Sequence, residues 1–268
     1  MATWNPDDYR KNSSQQQKWA RELIAKLKLN GDENVLDLGC GDGKITAELA
    51  AIVPQGSVIG LDYSVEMTNF ARRTFTRSEH PNLSFVHGDA SRLSFCDQFD
   101  VIFSNAVLHW IYDHQPVLAG ICRALRPGGR ILVQMGGRRC AADVLDVVGQ
   151  MMSEPRWRSC FEGFAFRYGF HGPEEYRHWL VRAGLTSVRV ELIHKDMVHA
   201  GSKGMAGWVR TTWIPYTQRV PENQREQFID EIVDRYLGVR PLDADGNAHV
   251  KMMRLEVEAT RPVRLVSG

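Results

Sequence analysis

The sequence predicts an α/β fold in which a mostly parallel sheet is covered by helices on both faces. Short apolar stretches alternate with helix-like stretches from about residue 34 to residue 136, which is the rhythm of parallel strands joined by helical crossovers. The stretches VIGL (58–61) and DVIF (100–103) are apolar almost without a break. Buried parallel strands have this composition because neither of their faces meets water.

The predicted elements follow in order along the chain. Apolar residues at helical spacing predict a first helix over residues about 13–29. Five strands with intervening helices come next, the strands near residues 34–38, 57–63, 83–90, 99–110 and 130–136 and the helices over 44–53, 64–78 and 115–125. Arg126-Pro127-Gly128-Gly129 predicts a sharp turn before the fifth strand, since proline fixes one φ and glycine permits a positive one.

The chain after Gly137 predicts a sheet edge and a helical cap. Helices are expected over 141–152, 173–184 and 221–237, and strands over 187–198 and near 250–260. Two late strands with helices between them indicate an antiparallel pair at the edge of the sheet, which brings the total to seven strands. The helical insertions between the strands indicate a cap over the active face.

Composition excludes several classes of function. Lys and Arg number 33 against 32 acids, a formal charge of +1, so the bulk basic field of nucleic-acid binders is missing. The five cysteines form no Cys-x-x-Cys pair, which favours a reduced compartment over a disulfide scaffold. No signal peptide is evident, and no apolar run approaches the roughly 18–20 residues of a membrane helix. We expect a cytoplasmic protein with no metal, nucleic acid or membrane partner.

A glycine-rich loop follows the first strand, in the stretch NVLDLGCGDGKITAELA. Gly39, Gly41 and Gly43 occupy alternate positions. The dinucleotide fingerprint G-x-G-x-x-G needs a third glycine at residue 44 or 46, where the chain has Lys44 and Thr46. The loop therefore lacks the dinucleotide pattern and reads D-x-G-x-G-x-G.

Three acids occupy comparable places in the first three strands and their exits: Asp37, Asp62 and Asp89. Ligands of open α/β sheets bind at the carboxyl ends of the strands. Acids there suit a ligand rich in hydrogen-bond donors and free of phosphate, which describes S-adenosylmethionine (SAM). Asp62 is placed to accept from ribose hydroxyls and Asp89 with Ala90 to meet the adenine edge. The alternative is that the three acids only form turns.

The motifs VLDLGCGDG, GLDYS, GDA, FDVIFSNAVLHW and LRPGGRILV resemble, in this order, those of class I SAM-dependent methyltransferases over residues about 30–135. The stretches WNPDDYRKNSSQQQ, NAVLHWIYDH and WVRTTWIPYTQ and the final EATRP resemble the trans-aconitate methyltransferase group. DYRKNSSQQQ with LHWI is also similar to juvenile hormone acid methyltransferase. Both relatives methylate carboxylates. One departure is Asp42, where the trans-aconitate enzymes tend to have proline.

The resemblance implies a Rossmann-like fold and a single methyltransferase domain over 1–268. It implies a SAM-binding core over about 30–136, an N-terminal lid over 1–29, and cap insertions over about 137–172 and 203–240. Asn105 would face the methionine part of SAM, and Tyr9 and Gln16 belong to the segment that folds over it. The expected cofactor-binding residues are Tyr9, Gln16, Asp37, Gly39, Gly41, Asp62, Tyr63, Met67, Asp89, Ala90 and Asn105.

The acceptor side of the site is expected around the fourth strand and the cap. A carboxylate is ionised at neutral pH, its reference pKa being about 4, so it needs a group to orient it rather than a base. Arg210 could hold the anion or be a surface residue, and His109 could act as a base or pack under Trp110. The expected catalytic residues are His109, Trp110 and Arg210, and the expected substrate-binding residues are Trp110, Trp208, Arg210, Trp213 and Tyr216.

The predicted reaction is methyl transfer from SAM, with S-adenosylhomocysteine as the product, to a small molecule that is expected to be a carboxylic acid. O-, N- or C-methylation of a natural product stays open because the scaffold is shared. An RNA methyltransferase and a SAM-binding protein without turnover are further alternatives. A monomer or a homodimer is expected.

Overall fold

The computed structural model describes residues 14–263, and its centre is a seven-stranded sheet with the order β3-β2-β1-β4-β5-β7-β6. The strands are β1 (Asn34–Leu38), β2 (Ser57–Asp62), β3 (Leu83–His87), β4 (Phe99–Asn105), β5 (Leu125–Gly136), β6 (Thr186–His199) and β7 (Ala248–Thr260). The first five strands pair in parallel, whereas β7 runs antiparallel to β5. The predicted seven-stranded, mostly parallel fold is confirmed.

Helices cover the sheet on both faces. The α-helices among the described residues are α1 (Ser14–Leu27), α2 (Lys44–Ile52), α3 (Val65–Thr74), α4 (Gln115–Ala124), α5 (Ala142–Ser153), α6 (Pro173–Arg182), α7 (Gly201–Thr212), α8 (Ile214–Thr217) and α9 (Glu222–Val239). Successive side chains of a strand point to opposite faces. In β1, Val35 accordingly joins an apolar cluster with residues of α1, α2 and α3, while Leu36 joins one with residues of α4 and α6.

The predicted turn at Arg126–Gly129 is not a connection before the fifth strand but a bulge inside it. β5 already begins at Leu125, opposite Phe99, and the next paired residues are Val101 and Arg130. The chain advances two residues in β4, from Phe99 to Val101, while it advances five residues in β5, from Leu125 to Arg130. The extra residues of β5 therefore loop outward. Gly128 takes up the bend with a φ of +84°. The bulge is held by the backbone of Arg261, whose carbonyl accepts from the Gly128 N–H at 2.9 Å.

The described residues form two compact units. One contains Gln16–Arg138, Tyr168–Ile193 and the chain from Arg254, and the other contains Arg139–Arg167 and His194–Met253. The predicted division into one domain with a core, a lid and two cap insertions stays a prediction. Within residues 14–263, no helix has both the length and the apolar character needed to cross a membrane.

Candidate active site

The loop after β1 is shaped by glycines that serve different purposes. Gly39 and Gly41 both have positive φ, +78° and +53°, which is the conformation that glycine adopts most readily. A side chain at Gly39 would meet Cγ2 of Val107 at 2.2 Å, whereas at Gly41 nothing lies within 4 Å. Gly39 is thus required by packing inside the protein, while the Cα of Gly41 faces open space at the carboxyl end of the sheet.

Asp62 ties this loop to the end of β2. Its Oδ2 accepts from the Gly41 N–H at 2.9 Å and its Oδ1 from the Ser64 N–H at 2.8 Å. Burial raises the pKa of the carboxyl group, and the hydrogen bonds from the backbone oppose that rise. A carboxylate can accept about four hydrogen bonds, so Asp62 can hold the loop and still accept from the hydroxyls of a ligand.

Asp89 follows β3 and caps a short 3-10 turn, Ala90–Arg92. Its Oδ1 accepts from both the N–H and the Oγ of Ser91, at 2.8 and 2.7 Å. Both bonds use the same oxygen, so Oδ2 can accept a hydrogen bond from a ligand. Ala90 is buried in the apolar cluster beneath this turn.

Asn105 is the last residue of β4, and only one of the two polar atoms of its side chain has a hydrogen-bond partner in the described part of the chain. Its Nδ2 donates to the carbonyl of Gln16 on α1 at 3.1 Å. Its Oδ1 is buried and has no hydrogen-bond partner among residues 14–263. Leaving such an acceptor unpaired costs roughly 1–3 kcal/mol, so the atom is able to accept a hydrogen bond from a ligand. The next residue, Ala106, has a φ of +61°, and strain of this kind clusters at functional sites.

The other predicted cofactor residues occupy varied surroundings. The Asp37 carboxyl is buried and accepts from the Thr46 Oγ1 at 2.7 Å, and burial raises its pKa to about 7. Tyr63 is 54% exposed, and its carbonyl lies 3.0 Å from the Nε2 of His87. Met67 is buried in α3. Tyr9 lies outside the described residues. The cofactor contacts of these residues stay predictions.

His109 follows β4 in a setting that keeps it uncharged. Its Nδ1 accepts from the Gly136 N–H at 3.3 Å. Burial, helped by the positive charge of Arg254, holds the pKa of the ring well below its usual range. The ring also lies among aromatic side chains, with centroid distances of 5.5 Å to Trp110, 6.0 Å to Tyr168 and 5.8 Å to Phe170.

Sequence reasoning singles out neither Tyr168 nor Phe170 as a site residue, and Phe170 is only one of several late aromatic residues that hint at an apolar pocket but more often belong to a core. They lie far along the chain from Trp110, in a stretch where aromatic residues occupy every second position from Phe164 to Phe170 although no strand forms there. Their spacing of two residues was the only signal, and it does not indicate a partner. The structure brings both side chains against His109, and Tyr168 also contacts Trp110 at a ring separation of 5.4 Å.

The predicted substrate residues of the cap lie in the second unit. Trp208, Trp213 and Tyr216 are buried, and Trp213 lies between the other two rings at centroid distances of 5.6 and 5.9 Å. Arg210 belongs to α7 and its Nη1 lies 3.6 Å from the Oε2 of Glu226, with 39% of its own side chain exposed. The three rings therefore pack within their unit, and Arg210 retains access to solvent.

These features define a class of site. Asp62, Asp89, a glycine facing open space and an amide oxygen with no partner among the described residues lie at or after the carboxyl ends of parallel strands, the position at which such folds bind ligands. Acceptors predominate there, so the residues fit a donor-rich ligand such as SAM better than one with a pyrophosphate. Fold and site together describe a SAM-dependent methyltransferase.

Comparison with known proteins agrees with this class. The model of a methyltransferase-domain family matches residues 29–184. The trans-aconitate 2-methyltransferase of Deinococcus radiodurans is 32% identical over 97% of this chain and 99% of its own length. The enzyme of the same name from Methylobacterium nodulans is 30% identical over 97% of this chain and 99% of its own. The chain therefore belongs to the methyltransferase-domain family, as a class I SAM-dependent enzyme similar to the trans-aconitate 2-methyltransferases.

Solved structures share the fold at low identity. The YcgJ protein of Bacillus subtilis superposes with a TM-score of 0.63 at 17% identity, over 92% of this chain and 99% of that one. Phosphoethanolamine N-methyltransferase 2 of Haemonchus contortus, solved with phosphomonomethylethanolamine and S-adenosylhomocysteine, gives 0.62 at 17% identity, over 96% and 57%. These two structures support the fold, whereas the family match and the two named relatives confirm the predicted enzyme class, whose cofactor is SAM.

Proposed function

We propose that this methyltransferase acts on a carboxylate oxygen of a small organic acid. Two relatives that match it along nearly their whole length are named for trans-aconitate, a carboxylic acid. The state of His109 is the structural observation that carries the proposal, because an ionised acid is an acceptor that needs no base.

His109 is poorly suited to take a proton from a hydroxyl or a phenol. Its Nδ1 already accepts from the Gly136 N–H, and the lowered pKa of the ring means that its protonated form is disfavoured near neutral pH. A general base works best when its pKa lies near the operating pH. A carboxylate has lost its proton well below that pH.

SAM, when bound, supplies a methyl group that its sulfonium already activates. The carboxylate oxygen forms a bond to that carbon while the carbon–sulfur bond breaks, and the electron pair of that bond stays on sulfur. The products are a methyl ester and a neutral thioether, and no proton moves. The protein therefore contributes approach and alignment: Asp62, Asp89 and Asn105 would hold the cofactor.

Arg210 is the proposed partner of the acid. Guanidinium groups bind carboxylates in a bidentate manner. Its ion pair with Glu226 spans 3.6 Å between side chains that are 39% and 67% exposed. Exposed pairs contribute at most about 1 kcal/mol, so this pair alone does not prevent Arg210 from binding an acid.

The test uses labelled SAM and a panel of free acids, each paired with its methyl ester. We expect the acids to be labelled, the esters not, and the label to be released as methanol by mild base. Arg210→Lys should raise KM for the acid about tenfold with little change in kcat, because lysine cannot make the bidentate contact.

Arg158→Lys is the matched control, since Arg158 is exposed in the same unit. Equal labelling of acids and esters would refute carboxylate methylation. An unchanged KM in Arg210→Lys would remove Arg210 from the role while leaving the reaction in place.

A further inference from the structure

The segment that carries Tyr168 and Phe170 is fixed against the exit of β4. The Gly169 N–H donates to the carbonyl of His109 at 2.8 Å. A side chain at Gly169 would meet the carbonyl oxygen of Ile111 at 2.1 Å. The backbone at Gly169 therefore lies as close to the backbone after β4 as a glycine allows. This close approach fixes the positions of Tyr168 and Phe170, which flank Gly169.

The result is a wall of flat rings that we call the aromatic wall: His109, Trp110, Tyr168 and Phe170. Tyr168 and Phe170 are stacked, with centroids 4.8 Å apart and planes only 5° from parallel. Trp110 meets Tyr168 edge to face at 5.4 Å. All four residues are only partly buried, so the wall keeps surface that a ligand can cover.

The aromatic wall is uncharged. Tyr168, Phe170 and Trp110 carry no charge at neutral pH, and His109 is held in its neutral form. The rings offer an additional carboxylate no positive charge, and Arg254, the cation that acts on His109, is buried and donates to Gln134. A carboxylate brought against the rings would therefore lose hydration at a cost. A planar apolar group would gain dispersion and stacking contacts instead.

We propose that the aromatic wall selects the body of the acceptor, and that the acceptor is a monocarboxylic acid with a flat, conjugated apolar body. Tyr168 is the specificity-determining residue that contacts this body. The proposal rests on the proposed function, because it concerns the substrate of the same reaction. It distinguishes this chain from an enzyme built for a compact acid with several carboxylates.

The experiment measures ester formation with saturating SAM on three acids. trans-Cinnamate has a planar body and one carboxylate, 3-cyclohexylpropanoate has a body of similar size that is not flat, and trans-aconitate has three carboxylates. We expect kcat/KM to be highest for cinnamate, about tenfold above cyclohexylpropanoate, the scale of one aromatic contact. trans-Aconitate should be the poorest of the three.

Variants of Tyr168 assign the preference to the wall. Tyr168→Ala should raise KM for cinnamate about tenfold and leave that for cyclohexylpropanoate within about twofold, while Tyr168→Phe keeps the ring and stays within twofold for both. Tyr112→Ala is the control, because Tyr112 follows the same strand and is 57% exposed. Tyr168→Leu replaces the alanine variant if that variant fails to fold, as judged by its melting temperature and SAM affinity.

The two proposals fail in different ways. A wild-type enzyme that forms no base-labile ester from any acid contradicts the proposed function. An enzyme that forms esters but prefers trans-aconitate, or whose preference for cinnamate survives in Tyr168→Ala, contradicts the role of the aromatic wall alone.

Discussion

Two glycines of the loop after β1, Gly39 and Gly41, differ in what surrounds them. Gly39 and Gly41 share a positive φ, so both would suffer the same backbone strain if replaced by alanine. They differ in surroundings, because Val107 fills the space beside Gly39 and nothing lies within 4 Å of a side chain at Gly41. The open space at Gly41 is where we expect the cofactor to lie.

We therefore predict opposite effects from two alanine substitutions. Gly41→Ala should lower the free energy of unfolding by only about 1 kcal/mol, the cost of the left-handed conformation, but abolish the rise in melting temperature that SAM produces. Gly39→Ala should cost about 1–3 kcal/mol more, because the new side chain overlaps Val107. Melting curves with and without SAM measure both effects.

Gly149→Ala serves as the control, since nothing lies within 4 Å of its position in α5. Alanine favours a helix over glycine by about 1 kcal/mol, so this variant should be at least as stable as the wild type and should respond to SAM normally. A wild-type response to SAM in Gly41→Ala would show that the open space is not occupied by the cofactor.

At the scale of elements, Glu256 of β7 joins α1, β5 and β6. Its side chain is fully buried and accepts from Lys26 on α1 at 2.7 Å, from Gln134 on β5 at 2.8 Å and from Arg189 on β6 at 2.5 Å. These hydrogen bonds and charges lower the pKa of Glu256 although burial opposes the shift. The carboxylate thus fixes α1 to the sheet, and α1 carries the Gln16 carbonyl that Asn105 contacts.

Removing one of these cations should leave a buried charge poorly compensated. We predict that Arg189→Met lowers the free energy of unfolding by about 2–4 kcal/mol, below the 3–5 kcal/mol of a fully broken buried pair because Lys26 remains. Arg126→Met is the matched control. Its pair with Asp100 is exposed and should cost less than about 1 kcal/mol.

Urea unfolding measures both variants, and Glu256→Gln combined with Arg189→Met should recover part of the loss. If Arg189→Met lowers the free energy of unfolding no more than Arg126→Met does, then water compensates the buried charge of Glu256.

The elements themselves were largely predictable from the sequence, and the contacts between distant segments were not. Apolar periodicity located most helices and strands to within a few residues, because a face that is buried must be apolar. It carried the fourth strand on to residue 110, whereas β4 ends at Asn105, and it did not predict α7. Arg126–Gly129 was predicted as a connecting turn because proline and glycine indicate a bend without saying whether strand pairing continues past it. The contact of Tyr168 with Trp110 depends on the route of the chain, which no local period encodes.

At the scale of the whole molecule, the protein has a formal net charge of +1, and several of its carboxyl groups are buried in the folded state. Burial raises the pKa of Asp37 to about 7 and raises that of Asp62 as well. The sequence predicted that these acids gather at the carboxyl ends of the strands, because parallel strands end at one edge. Their depth was not predictable, because it depends on how the loops close over them.

Asp37 should therefore make the stability of the molecule depend on pH. Its pKa is higher in the folded state, about 7, than the ordinary value of 3.8 expected for the unfolded chain. Between these values the folded state holds a proton that the unfolded state has released, so the free energy of unfolding falls as pH rises from about 4 to about 7. The full effect is on the order of 4 kcal/mol.

Asp37→Asn removes this titration while its side-chain oxygen can still accept from Thr46. We predict that the difference in free energy of unfolding between pH 5 and pH 8, measured in urea without SAM, is smaller in Asp37→Asn than in the wild type. Asp100→Asn is the control, because hydrogen bonds and Arg126 lower the pKa of Asp100 and its contribution is lost only at the acid end. Parallel profiles for wild type and Asp37→Asn between pH 5 and pH 8 would mean that Asp37 is ionised in the folded protein, and the burial argument for its pKa would then be wrong.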